Sequence, residues 1–82
     1  MRRCSTSITS NIAEGFSRNT SKEKIQFYYI SLGSITELQN QLIIAKDVNY
    51  LRKEDFDTLN NQTIVVRKLV YGLIKNLKTT QY

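Results

Sequence analysis

The chain has 82 residues, with 12 Lys and Arg against seven Asp and Glu, one Cys, three Gly, and neither His nor Pro. That length allows one domain, expected to span 1–82, with a thin core and little stability in reserve. A lone Cys4 excludes an internal disulfide and suits a reducing compartment, the lack of His excludes an imidazole base and a Cys–His metal site, and no apolar run approaches the 18 or so residues of a membrane span.

Few helix breakers and abundant Leu, Ile, Lys, Gln and Glu predict an all-α chain. The first helix is expected over 2–14. Cys4, Ile8 and Ile12 recur every fourth position on its apolar side, so Cys4 reads as a small buried hydrophobe. Ser7, Thr9, Ser10 and Asn11 crowd the same segment. Such groups compete with helical hydrogen bonding unless they pack closely or bond a neighbour. Gly15 is expected in the left-handed conformation that ends a helix, with Phe16 folding back over it.

The second helix, expected over 21–46, opens on Thr20-Ser21-Lys22-Glu23. This reads as a capping box with Thr20 as N-cap, or Ser21 as the nearby alternative, and Glu23 reaching back. Ile25, Tyr28, Leu32, Ile35 and Leu42 follow a three–four spacing, with Gln39 as its polar member. Phe27, Tyr29, Ile30, Leu38, Ile43 and Ile44 widen that stripe beyond what packing on one side needs. Gly33 and Ser34 are expected to admit a helix at close range, since an unpacked Gly33 costs about 1 kcal/mol against Ala. The connection from Asp47 to Leu51 suits antiparallel neighbours in an up-and-down bundle, with Asn49 as its left-handed residue.

In the third helix, expected over 52–78, Phe56, Leu59, Thr63, Val66, Val70, Leu73 and Leu77 form a heptad seam. Ile64, Val65, Leu69 and Ile74 fall outside it, some of them toward a second neighbour. Glu54, Asp55 and Asp57 open this helix and Arg67, Lys68, Lys75 and Lys78 follow, the order its dipole favours. Thr79 to Tyr82 are expected to fray.

Arg67, Lys68, Lys75 and Lys78, with Arg18 and Lys22 near the first turn, are the candidate nucleic-acid contacts; a plain solvated face is the alternative. Arg2 and Arg3 stand roughly 20 Å from Arg18 along their helix and cannot share its patch. Asn11 and Glu14, three apart, share a helix face. A structural polar network is expected there, Glu14 pairing with Arg18, Arg2 or Lys24 and Asn11 bonding a neighbouring helix; a ligand contact is the alternative. Tyr28, Tyr29, Tyr50 and Tyr71 are expected in core or interface packing with satisfied hydroxyls, base stacking being the alternative. Nothing suggests catalytic residues, a metal or a cofactor: the acids at 54–57 sit where a helix dipole wants them, and no glycine-rich phosphate loop exists. Arg2 and Arg3 are followed by no apolar signal region.

Three blocks carry a resemblance: Met1-Arg2-Arg3 running into Ser10-Asn11-Ile12-Ala13-Glu14-Gly15-Phe16; Lys22-Glu23 with Phe27, Ile30-Ser31-Leu32-Gly33-Ser34, Glu37-Leu38, Gln41-Leu42 and Ile44-Ala45; and Leu73-Ile74 with Leu77-Lys78. The chain resembles the S23 ribosomal, or 23S rRNA intervening-sequence, protein family of bacteria, whose signature reads S-I-P-S-N-I-A-E-G. Thr9 stands where that signature has Pro, which restores a backbone donor. The resemblance implies a four-helix bundle, a ring-like homo-oligomer (often a pentamer), no enzymatic activity, and a cytoplasmic RNA- or protein-binding adaptor; a purely structural interaction module is the alternative. The family has a further helix ahead of the Met-Arg-Arg block. The chain is therefore expected to hold helices two to four, and the uncovered apolar faces to drive self-association.

Overall fold

The computed structural model describes residues 2–80. Three helices follow one another: α1 (Arg2–Ser17), α2 (Ser21–Asp47) and α3 (Lys53–Thr80). The expected all-α architecture is found. Connections of a few residues turn each helix back on the one before, as the pairings show: Cys4 meets Gln41 and Ser7 meets Ser34 across α1 and α2, while Lys46 meets Phe56 and Tyr29 meets Lys78 across α2 and α3.

α1 does not stop before Gly15. It continues to Ser17, and no described glycine has a positive φ. The reason is packing. A Cβ at Gly15 would lie 2.9 Å from Tyr28 Cδ1 and 3.0 Å from Cζ, and closer still to Cε1. Gly15 is there so that the Tyr28 ring can lie against the α1 backbone. Phe16 does not fold back over the helix end; it is 60% exposed and meets the edge of the Tyr28 ring with centroids 6.0 Å apart. The end of α1 is capped from outside: Lys24 Nζ donates to Gly15 O at 3.2 Å and Phe16 O at 2.9 Å. α1 has no basic residue in its last turn, so Lys24 of α2 supplies the cation its dipole favours.

The crowded Ser and Asn residues explain how α1 lies so close to α2. Ser7 Oγ and Ser34 Oγ are 2.8 Å apart, and the buried Ser31 Oγ donates to Ile8 O at 3.1 Å. Ser34 and Ser31, not Gly33, are the small residues at this contact. Gly33 is exposed, with nothing within 4 Å of a Cβ built on it, so the expected close neighbour at Gly33 is absent from the described chain.

At the start of α2, Thr20 is extended (φ −111°, ψ 150°) and its hydroxyl accepts from Glu23 N at 3.2 Å, so Thr20 is the N-cap. Asn49 is left-handed at φ 62°, which lets the Tyr50 and Leu51 amides reach back to Ala45 O. α3 runs on through Thr79 to Thr80; the remaining residues of the expected frayed end lie outside the described ones.

The core joins Ile8 of α1, Tyr28, Leu32 and Ile35 of α2, and Val70 and Ile74 of α3, with Ile12, Ile25, Leu38, Val66, Leu73 and Leu77 packed against it. Ile74 is thus in the core, and Leu59 of the expected seam is 38% exposed. A straight α-helix drifts by about 20° per heptad against a strict seven-residue repeat. Over α3 the buried edge therefore moves from Thr63 through Val70 to Ile74. α1 and α3 each pack on α2 and hardly on one another. The molecule is elongated, with extents of 48 × 20 × 13 Å.

Candidate nucleic-acid interface

Because each helix reverses the last, the end of α1, the start of α2 and the end of α3 lie at one end of the molecule. Arg18, Lys22, Lys24, Lys75 and Lys78 gather there, with Glu14 and Glu23 as the carboxylates. The opposite end carries Arg2, Arg3, Lys46, Arg52 and Lys53 but also Asp47, Glu54, Asp55 and Asp57, and two of those cations are paired along α3, Arg52 to Asp55 at 3.3 Å and Lys53 to Asp57 at 3.7 Å. The excess positive charge therefore sits mainly at the first end. α3 reinforces it: beyond Asp57 it has Arg67, Lys68, Lys75 and Lys78 and no Asp or Glu.

Aromatic rings stand beside these cations. Lys78 Nζ donates to Tyr29 Oη at 3.0 Å and lies 5.5 Å from its ring centroid. Arg18 Cζ lies 4.8 Å from the Phe27 centroid while its Nη2 pairs with Glu14 Oε2 at 3.0 Å. Lys22 is one heptad before Tyr29, hence on the same face of α2, about 10 Å along. Lys22, Lys68 and Lys75 are exposed. Lys68 and Lys75, also one heptad apart, share a face of α3.

Arg67 does not belong to this set. It is half-buried and its Nη1 donates to Gln39 Oε1 at 2.6 Å; Gln39 Nε2 in turn donates to Asn60 Oδ1 at 3.4 Å. Gln39, the polar interruption in the α2 stripe, is thus the partner that makes a half-buried guanidinium tolerable. The expected Asn11–Glu14 network divides in two. Glu14 pairs with Arg18, whereas Asn11 Nδ2 donates within its own helix, to Ser7 O at 2.8 Å and Ser7 Oγ at 3.1 Å, and reaches α2 only through Ser34. Of the tyrosines, Tyr28 is core; Tyr29, Tyr50 and Tyr71 are exposed in this chain.

Cys4 is buried and its Sγ contacts Gln41 Oε1 at 3.7 Å. Burial pushes its thiol up, and the nearby Glu37 carboxylate adds to that, the reverse of what a nucleophilic thiolate needs. Among the described residues no group of three or more His, Cys, Asp or Glu could hold a metal ion, and no helix is long and apolar enough to cross a membrane. The sequence reading missed Lys24 as a helix cap and Tyr29 and Phe27 as partners of the cations. Neither left a trace: Lys78 is 49 positions from Tyr29, and Arg18 and Lys24 meet their partners around the turn between α1 and α2.

A helical chain with a basic, aromatic-flanked end and the polar α1 stretch Ser7–Gly15 matches the family model described as 23S rRNA-intervening sequence protein, over residues 1–72. The chain belongs to that family. The matched span takes in α1, α2 and most of α3, so the resemblance carried by the polar stretch and the Lys22–Ala45 block rests on the folded body and not on one motif, while the block from Leu73 lies outside the match. No curated protein and no solved structure matches the chain of this intervening-sequence family member.

Proposed function

We propose that this member of the 23S rRNA-intervening sequence protein family is a non-enzymatic, homo-oligomeric RNA-binding adaptor of the cytoplasm, with the basic end of the molecule as its RNA contact. The observation that carries the reading is the gathering of Arg18, Lys22, Lys75 and Lys78 at that end. Lysines spaced along helix faces contact phosphates, which supply affinity without sequence preference. Tyr29 and Phe27 beside them offer rings to unpaired bases.

The test is fluorescence anisotropy with a structured rRNA fragment over a salt series. Lys22→Glu/Lys75→Glu replaces two exposed cations that no described contact holds in place. Affinity is expected to fall at least tenfold, and the slope of log K against log salt to become shallower by about 0.7–0.9 per lost phosphate contact. Arg52→Glu at the opposite end should change little. Binding that survives the double change refutes the surface assignment. A protein that binds no RNA at low salt is instead a purely structural interaction module, a reading favoured by the exposed Ile30, Ile43 and Ile44 of α2.

A further inference from the structure

We infer that one face of α3 and the adjoining part of α2 form a track for single-stranded RNA, with Tyr71 and Tyr29 as the rings that stack on its bases. The inference rests on the reading of the basic end as an RNA contact and names the form of RNA taken there. Lys68, Tyr71, Lys75 and Lys78 are spaced by three, four and three residues, and all four are exposed. Such spacing places them in one stripe on the surface of α3, about 15 Å from first to last. At Lys78 the stripe crosses to α2, where Lys78 Nζ donates to Tyr29 Oη at 3.0 Å. Lys22, seven residues before Tyr29, continues the same face of α2. Cations and rings therefore follow one another from Lys68 in the middle of α3 to Lys22 at the start of α2.

Charge and ring placement select an unpaired strand as the occupant. Beyond Asp57, α3 has no Asp or Glu, so a polyanion lying along this stripe meets no carboxylate of that helix. Tyr71 is 55% exposed and Tyr29 48%. The side chains of Lys68, Tyr71 and Lys75 make no hydrogen bond, ion pair or ring contact with any described residue. Tyr71 thus holds a ring in solvent between two cations, with no packing task to explain it. A ring binds a nucleic acid by stacking on the face of a base. In a duplex each such face is covered by the next pair, about 3.4 Å away along the strand. Tyr71 lies seven residues, about 10 Å of helix, from Lys78 at the Tyr29 ring. Rings placed in this way suit bases splayed from a single strand. A duplex could use only the cations, through its phosphates.

The experiment is fluorescence anisotropy of the whole chain with a labelled RNA strand of about a dozen nucleotides, alone and annealed to its complement. The single strand is expected to bind at least fivefold more tightly than the duplex at equal salt. Tyr71→Ala should weaken single-strand binding by about five- to a hundredfold, the range of one base–aromatic stack. It should leave duplex affinity and the salt slope unchanged, and its exposed position should leave helical circular dichroism intact. Tyr71→Phe keeps the ring and should bind as wild type. Lys75→Glu should instead make the single-strand salt slope shallower by about 0.7. Equal affinity for the two RNA forms, unchanged single-strand binding by Tyr71→Ala, an equal loss on both forms, or displacement of the RNA by poly-glutamate at matched charge overturns the inference. If Lys22→Glu/Lys75→Glu still removes binding in the first three cases, the basic end remains the RNA contact and only the track is lost. Absence of binding to either form at low salt removes both.

Discussion

A methyl group added at Gly15 sets two effects against each other. Ala is a better helix former than Gly by about 0.5–1 kcal/mol in a helix interior, and Gly15 is inside α1. The new Cβ would however lie 2.9 Å from Tyr28 Cδ1 and 3.0 Å from Cζ, with Cε1 nearer. Tyr28 is 1% exposed, so its ring has no free space to swing into. Overpacking of this kind costs about 1–3 kcal/mol, which leaves a net loss of about 0–2.5 kcal/mol, centred a little above 1 kcal/mol. At about 4–8 °C per kcal/mol for a domain of this size, the central value lowers the Tm of Gly15→Ala by roughly 5–10 °C. Gly33→Ala is the matched control: with nothing within 4 Å of its Cβ, it should raise Tm by about 2–8 °C. Both are measured by circular dichroism melts at one protein concentration. Tyr28→Leu, made alone and with Gly15→Ala, closes a cycle in which the double variant should lose less than the two single losses together. A Gly15→Ala protein that melts at or above wild type refutes the close-approach account of Gly15.

Thr20→Ala removes the acceptor of the Glu23 amide and should cost about 1 kcal/mol in a urea melt, with Thr20→Ser close to wild type; an unchanged midpoint would mean that the cap contributes nothing. Burial raises the acid groups of both Cys4 and Tyr28. Their neutral forms are favoured by folding, so above their ordinary values of 9.0 and 10.0 the unfolded chain sheds protons that the folded chain keeps. Stability should therefore be full below about pH 9 and fall as pH rises further. Tyr28→Phe and Cys4→Ala, melted under reducing conditions, should each flatten that fall; melting temperatures that hold steady to pH 11 would refute it.

Residues close together in sequence were legible in advance. The Thr20 cap needs only Thr20 and Glu23, and the turn at Asn49 needs only a side chain tolerant of φ 62°. The apolar periodicities placed Tyr28, Ile35 and Val70 in the core, where they are. The basic residues were legible as types but not as a site. Arg18 and Lys78 are 60 positions apart, and their shared end follows from two reversals of direction.

What the chain order alone determines here is the helical character of each segment, the Thr20 cap of α2 and the apolar side of each helix, because these depend on neighbours within about one or two turns. Which apolar side meets which neighbour was decided by tertiary structure. Gly15 reads as a helix stop until the ring of Tyr28 lies against it, and Gly33 reads as a packing site until its surroundings prove empty. Arg67 reads as one more surface cation until Gln39 holds it half-buried. That α1 and α3 each pack on α2 and hardly on one another is likewise set by interlocking side chains and invisible to periodicity.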